Sequence, residues 1–352
     1  MTRVIVDRNA GFCAGVRRAI RGTNQILSQD SSNRRRIKAY GQLVHNREVT
    51  EELSARGLEN LDSPEQARSG DQVVLRTHGV SPQEEQVLRG HGAELRDFTC
   101  PRVKRVHRQI REKREAGYRI VIVGDPDHPE VRAHLAYGGE GAMVLAAAED
   151  ARRVPEGGKV AVFAQTTITP DFFHEVVAAL QRRALEPTVI NSLCPFVLKR
   201  QRWIVRHSKM ADASVILGGR NSSNTRKLHA LAAENGPAFH LSRAEELDVE
   251  QILRYPIVAL TAGASTSDQA VQEQGGLGPE MSGHGFGRSP ARRARAEVSG
   301  LQAHHRPAEA ALLRGGEEVV LYVPVVLQVL VNAPLQDPLP HPVHDRELPH
   351  PA

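Results

Sequence analysis

The chain has 352 residues, of which 40% are hydrophobic, 25% charged and 4% aromatic, and it carries a formal net charge of +5 at pH 7. That length exceeds one ordinary domain and calls for two or three modules, each with its own core. No run approaches the roughly 18 apolar residues of a membrane span, Met1-Thr2-Arg3-Val4-Ile5-Val6-Asp7 reads as a strand instead of a signal peptide, and no basic stripe with interleaved aromatics marks a nucleic-acid surface, so neither a membrane nor a nucleic acid is expected as partner and a cytoplasmic location follows.

From Met1 to about Gln274, short β-branched runs alternate with amphipathic helical stretches, the pattern of an α/β protein with largely parallel sheets. Val4-Ile5-Val6 is a strand that passes through Gly11-Phe12-Cys13 into a helix. The next loop, Tyr40 to Asn46, carries His45 just ahead of a helix, and the strand Val73-Val74-Leu75 is followed by a similar loop with His78. Glu94 to Asp97 leads to Cys100 and Pro101, where a proline at the first helical turn loses no hydrogen bond. After the strand Ile120 to Val123 comes a loop with His128 and Glu130, and after Val160 to Phe163 comes Gln165-Thr166-Thr167. Thr188-Val189-Ile190 precedes Cys194 and Pro195, in the manner of Cys100. The strands Ser214 to Leu217 and Ile257 to Leu260 end in loops with Ser222, Ser223 and Asn224 and with Ser265. Beyond Gln274 a Gly-rich break opens a stretch of Pro, His, Arg and Gly with little periodicity. The cysteines recur at intervals of about ninety residues, which gives three similar modules over 1–97, 98–191 and 192–274, with a poorly ordered tail over 275–352.

Three cysteines are an odd number, and they argue against a disulfide framework. A cysteine at a helix N-terminus has its thiolate stabilised by the helix dipole and by free backbone N–H groups. Soft thiolates select zinc, copper or an iron–sulfur cluster, and three of them leave one coordination position open, but spacing alone does not separate a catalytic zinc from a cubane cluster. The alternative is that the cysteines are small buried apolar residues, which their shared setting disfavours. The loops with His45, His78, His128, Thr166, Ser223 and Ser265 all fall at strand ends ahead of helices, where an α/β sheet binds anions, so a phosphate-bearing ligand fits. Taken singly, each is an ordinary helix cap. Glu130 is placed to supply a proton, whereas His91, His107, His134, His174 and His229 read as surface or structural residues.

Taken together, these motifs resemble the 4-hydroxy-3-methylbut-2-enyl diphosphate reductases of the non-mevalonate isoprenoid pathway. The resemblance runs from about Arg3 to about Val271 through Gly11-Phe12-Cys13-Ala14-Gly15-Val16, Val44-His45-Asn46, Thr77-His78-Gly79-Val80, Thr99-Cys100-Pro101, His128-Pro129-Glu130-Val131, Gln165-Thr166-Thr167, Asn221-Ser222-Ser223-Asn224 and Thr261-Ala262-Gly263-Ala264-Ser265. It implies an α/β trefoil of three modules around a 4Fe-4S cluster held by Cys13, Cys100 and Cys194. His45, His78, His128, Ser222, Ser223, Asn224 and Ser265 would hold the diphosphate, and Thr166 and Glu130 would form the proton path. The implied reaction is a two-electron reductive dehydroxylation to isopentenyl and dimethylallyl diphosphates, with electrons from a ferredoxin or flavodoxin.

Three departures from the family pattern stand out. Arg132-Ala133-His134 follows Val131 where the family continues with a Gly-Thr pair, Val197 stands three residues after Cys194 in place of a threonine, and the tail replaces a short helical ending. A divergent paralogue reducing another allylic diphosphate therefore stays open. So does a non-catalytic iron–sulfur or zinc sensor, although a sensor would need only the thiols and not Glu130 and Thr166.

Overall fold

The computed structural model describes residues 2–29, 36–243, 246–264, 266 and 318–322. The disordered tail expected over 275–352 lies outside the described residues apart from the strand at 318–322. Three sheets form three lobes. In lobe one β2 (Ile37–Tyr40), β3 (Glu59–Leu61), β4 (Gln72–Leu75) and β5 (Glu94–Asp97) lie in the order β3-β2-β4-β5, all parallel. Lobe two repeats that order with β6 (Tyr118–Val123), β7 (Met143–Leu145), β8 (Lys159–Ala164) and β9 (Thr188–Ile190), arranged β7-β6-β8-β9.

Lobe three has β10 (Ala213–Leu217), β11 (Ala238–Leu241) and β12 (Ile257–Ala262) in the same order, β11-β10-β12. Its fourth place is taken by β1 (Arg3–Asp7), parallel to β12 with Val4 opposite Val258. The strand that begins the first module in sequence is thus hydrogen-bonded in the last sheet. A further strand, β13 (Glu318–Tyr322), pairs antiparallel on the outer side of β1. The central strands β6, β8, β10 and β12 are near-continuous apolar runs, because a parallel sheet covered by helices on both faces exposes neither side.

The fourth strand of each sheet leads into a long helix headed by a cysteine, and that helix packs on the next lobe. Following β1, α1 (Ala14–Gln29) lays Val16 and Ala19 against Ile37, Ala39 and Val74 of lobe one. Following β5, α4 (Pro101–Glu115) lays Val106 and Ile110 against Ile120, Ile122 and Phe163 of lobe two. Following β9, α7 (Pro195–Ser208) lays Trp203 and Ile204 against Ile5, Ile216 and Ala259 of lobe three. Each cysteine consequently sits at a crossover between two lobes, at the centre of the molecule.

The opposite sheet faces are covered by helices of the same lobe. On those faces are α3 (Pro82–Gly90) in lobe one, α6 (Pro170–Arg182) in lobe two and α9 (Val249–Ile252) in lobe three, whereas α2 (Arg47–Ala55), α5 (Pro129–Gly138) and α8 (Ser223–Ala233) share the faces of α1, α4 and α7. Short 3-10 turns at Pro64–Gln66 and Ala148–Arg153 close the connections in the first two lobes. Among the described residues no helix is long and apolar enough to cross a membrane.

Candidate functional site

Each lobe delivers three loops from the carboxyl ends of its strands, and all nine converge. The loops after the first strands β2, β6 and β10 carry His45, His128 and the Ser222-Ser223-Asn224 run. Those after the third strands β4, β8 and β12 carry His78, Thr166 and Ala264, and those after the fourth strands β5, β9 and β1 carry Cys100, Cys194 and Cys13. The anchoring repeats threefold as well. The amides of Cys100, Cys194 and Cys13 donate to the carbonyls of Thr77, Thr166 and Ala264 at 3.0, 2.9 and 3.1 Å, so every cysteine is tied to the third-strand loop of its own lobe.

The three thiols line one small cavity of about 110 Å³ with His45, His78, His128, Glu130, Thr166 and the Ser222 to Asn224 loop. A larger hollow of about 730 Å³ between α1 and β5 brings together no comparable set of reactive groups. All three cysteines are free and partly buried. Cys100 and Cys194 are the N-cap residues of α4 and α7, with Pro101 and Pro195 opening the helices, and α1 begins one residue after Cys13. Gly15 permits their approach, since a Cβ there would lie 3.0 Å from Cys100 Sγ and 3.9 Å from Cys13 Sγ. Burial pushes the Cys100 thiol up, the amides of Arg102 and Val103 draw it down, and the neighbouring Cys13 and Cys194 raise it further. Three thiolates this close repel one another until a cation replaces their protons. The buried guanidinium of Arg200 feels Cys13, Asp7 and Cys194 while it donates to the carbonyls of Asn9 and Gly11.

Opposite the thiols stands a polar wall. The rings of His45 and His78 have centroids 4.5 Å apart, those of His78 and His128 5.2 Å, and those of His45 and His128 5.6 Å. Burial lowers the pKa of His45 to about 4, assisted by the adjacent His128, and the same effect takes His78 well below the ordinary histidine range and lowers His128. The three imidazoles are therefore neutral near pH 7 and offer N–H donors instead of charges. Their ring nitrogens lie within 4.8 Å of one another, so they converge on one point. His78 Nδ1 and both amide atoms of Asn224 are buried without a hydrogen-bond partner in the protein, although such groups cost about 1–3 kcal/mol when left unpaired. Ser223 is held by Gln165 at 3.3 Å and by Thr167 at 3.2 Å, which links lobes two and three. Ser265, expected in this wall, lies outside the described residues.

Glu130 joins the two halves of the site. It is 2% exposed, where a glutamate in the first turn of a helix is usually solvated. Its Oε1 accepts from the Thr166 amide at 2.6 Å and its Oε2 from Thr166 Oγ1 at 2.8 Å. Burial alone would raise its pKa, but His134, His128 and the Thr166 amide together hold it well below the usual carboxylate range. The resting residue is a carboxylate, so it must gain a proton before it gives one.

Two residues assigned to the surface or to the scaffold by sequence lie behind this carboxylate. His134 is 0% exposed, with Nε2 3.5 Å from Glu130 Oε1, and the His107 ring stands edge-on to it at 5.0 Å. The available signal was the helical spacing of four between Glu130 and His134, which puts both on one face of α5. Val197 lines the cavity from the first turn of α7 and is 4% exposed.

Comparison with known proteins gives a consistent picture. The family described as LytB protein matches residues 4–274. The 4-hydroxy-3-methylbut-2-enyl diphosphate reductases of Caldanaerobacter subterraneus, Aquifex aeolicus and Nitratidesulfovibrio vulgaris are 33%, 35% and 37% identical to the chain, over 77%, 78% and 75% of its length and 94% of theirs. The solved E-1-hydroxy-2-methyl-but-2-enyl-4-diphosphate reductase of Plasmodium falciparum matches with a TM-score of 0.72 at 25% identity, covering 76% of this chain and 85% of that one. A second solved structure, described as (E)-4-hydroxy-3-methyl-but-2-enyl diphosphate reductase, the terminal enzyme of the non-mevalonate pathway, matches with a TM-score of 0.57 at 33% identity over 75% of this chain and 94% of that one.

Proposed function

The chain belongs to the LytB family of 4-hydroxy-3-methylbut-2-enyl diphosphate reductases, and from that membership and the geometry of its central cavity we propose how its own residues serve this reaction. The enzyme is an oxidoreductase that removes the hydroxyl of a small allylic diphosphate, the last step of the non-mevalonate route to isoprenoids. The family uses an iron–sulfur cluster. Cys13, Cys100 and Cys194 would hold it as a 4Fe-4S centre, a set that fits because three soft ligands meet where only Gly15 leaves them room. When bound, such a cluster supplies Lewis acidity toward the hydroxyl oxygen and passes electrons to the substrate.

The protein side chains do the remainder. His45, His78, His128, Ser222, Ser223, Asn224 and Ser265 bind the diphosphate through N–H and O–H donors, in a cavity small enough to exclude most water and so strengthen each contact. The observation that carries this role is the set of buried polar atoms without partners, His78 Nδ1 and the Asn224 amide, in the wall of that cavity. Thr166 and Glu130, bonded oxygen to oxygen at 2.8 Å, carry the proton that lets the hydroxyl depart as water. A cytoplasmic ferredoxin or flavodoxin would deliver the two electrons.

Val197 favours a second reading of the substrate. It sets an apolar surface where the family places a threonine hydroxyl, which suits a related allylic diphosphate with one fewer contact near the phosphates. Turnover of 4-hydroxy-3-methylbut-2-enyl diphosphate by the anaerobically reconstituted protein with a chemical reductant tests the main reading. Absence of turnover with a full iron complement would move the assignment to another allylic diphosphate.

A further inference from the structure

Glu130 is a carboxylate walled in by protein, so each turnover leaves it in need of a proton that the cavity itself does not hold. From the buried ring stacked behind it, we infer that His134 and His107 form a proton relay that recharges Glu130 from the hollow that His107 lines, with His134 a positioning residue. The inference rests on the reductase reading above.

His134 Nε2 lies 3.5 Å from Glu130 Oε1 and neither side chain reaches solvent. His134 Nδ1, on the far side of the ring from its contact with Glu130, has no hydrogen-bond partner in the protein, and His107 Nε2 also lacks one. Two adjacent buried imidazoles with unused nitrogens are costly as scaffolding, since an apolar side chain of the same size would leave nothing unsatisfied. Both are able to accept a proton at one nitrogen while releasing one from the other. The second ring leads outward. His107 lines a hollow of about 300 Å³ with Asp97, Lys104 and Arg111.

Fixed neighbours hold the pair. Tyr137 stacks on His107 with centroids 4.1 Å apart, and Gly79 presses on its other side, where a Cβ would fall 2.6 Å from His107 Cε1. With φ at +78°, Gly79 also needs its glycine for the backbone. The groups facing the pair are Glu130 and Tyr137 from α5, Arg111 from α4 and Asp97 from β5. Burial and the neighbouring His134 hold the pKa of His107 near 3, so it conducts as a neutral ring.

The transfer balances without a further reagent. The His134 Nε2–H bond breaks as an O–H bond forms on Glu130, and a proton passes from Glu130 through Thr166 Oγ1 to the substrate hydroxyl. That oxygen leaves as water when its C–O bond breaks, two electrons from the reductase's electron donor reduce the allyl group, and a second proton, delivered after the relay has recharged Glu130, forms the new C–H bond. The neutral His134 regains its proton through His107. His134 occupies the position where the family carries the threonine of its Gly-Thr pair, so the relay separates this chain from that pattern.

The test is anaerobic turnover of the reconstituted full chain across pH for wild type, His134→Gln and His134→Thr, with histidine-ring ¹⁵N NMR spectra of the full chain beside it. The glutamine keeps the size and polarity without a mobile proton, and the threonine restores the family residue as a second route to a folded variant. The relay requires kcat to fall at least about tenfold in both variants with KM within about twofold, and the alkaline limb of the wild-type profile to vanish. It also requires the His134 ring ¹⁵N signals to move in Glu130→Gln, because the carboxylate facing Nε2 is gone. Wild-type kcat and pH profile in the folded variants, or His134 ring signals indifferent to Glu130→Gln, overturns it. An inactive wild type would instead sink the reductase reading, while the NMR coupling still decides between His134 and a purely structural ring.

Discussion

At the scale of single residues, the site combines neutral donors with one ionised acceptor, and each half has a pH signature. His45, His78 and His128 are held neutral by burial and by one another, His45 with a pKa near 4. A bound diphosphate brings negative charge against them and favours their protonated forms, which raises their pKa values. Binding therefore takes up protons between the low pKa values of the free site and the higher ones of the complex, and affinity strengthens as pH falls through that window toward the His45 value near 4. Calorimetric titration of a diphosphate in two buffers of different ionisation enthalpy measures that uptake directly, and the same heat in both would remove the histidines from the phosphate site. The same shift acts on stability in the opposite sense. Between the ordinary histidine pKa of about 6.5 and the folded value near 4 the unfolded chain binds more protons than the folded one, so the protein without ligand loses stability as pH drops through that window. Glu130 belongs to the other half. Glu130→Gln preserves its shape and its contact with Thr166 but cannot cycle a proton, so substrate binding should survive while single-turnover reduction slows about a hundredfold. An unchanged single-turnover rate would place the proton donor elsewhere.

At the scale of elements, the cysteine-headed helices decide where the chemistry gathers. Each follows the fourth strand of one lobe and packs on the next, so a change at its N-terminus is felt by two lobes at once. Gly15→Ala is the sharpest test, because its Cβ would crowd Cys100 Sγ at 3.0 Å from a different helix. Iron content after anaerobic reconstitution should fall with little loss of helix signal in circular dichroism, and full iron retention would show that the thiols meet at a distance from Gly15. Much of this was legible in the chain. Val4 to Val6, Ile120 to Val123 and Ser214 to Leu217 are too apolar and β-branched to be anything but covered parallel strands, and proline directly after Cys100 and Cys194 marks where helices begin. The short edge strands β3 and β7, three residues each, carry no such signal, because hydrogen bonds to a neighbour define them instead of composition. The place of β1 in lobe three was hidden for a related reason. Register with β12, some 250 residues away, is a long-range choice that no local pattern encodes. Likewise, nothing local shows that α4 buries His107 against α5, so the histidines behind Glu130 read as ordinary surface residues.

At the scale of the whole molecule, three sheets of one strand order present their carboxyl ends to a common centre, and the chain reaches that centre nine times. A cluster held by Cys13, Cys100 and Cys194 would join all three lobes at that centre, where the side-chain bonds described between lobes join them in pairs. Asn221 donates to Gln42 at 3.1 Å between lobes three and one, and Gln165 and Thr167 hold Ser223 between lobes two and three. Loss of the cluster should therefore loosen the packing between lobes before it unfolds any one of them. Limited proteolysis of protein with and without reconstituted iron would show this as faster cleavage at the crossovers after β5 and β9 in the iron-free form, and identical digestion patterns would mean that the lobes hold together unaided. The most direct measurement is iron content and anaerobic turnover, side by side, for wild type and for Cys13→Ser, Cys100→Ser and Cys194→Ser with 4-hydroxy-3-methylbut-2-enyl diphosphate and a chemical reductant. A hydroxyl is a hard and poor ligand for iron, so all three variants should lose cluster absorbance and turnover together, while the wild type binds iron and reduces the substrate; a single serine variant that kept both would contradict a centre shared equally by the three lobes.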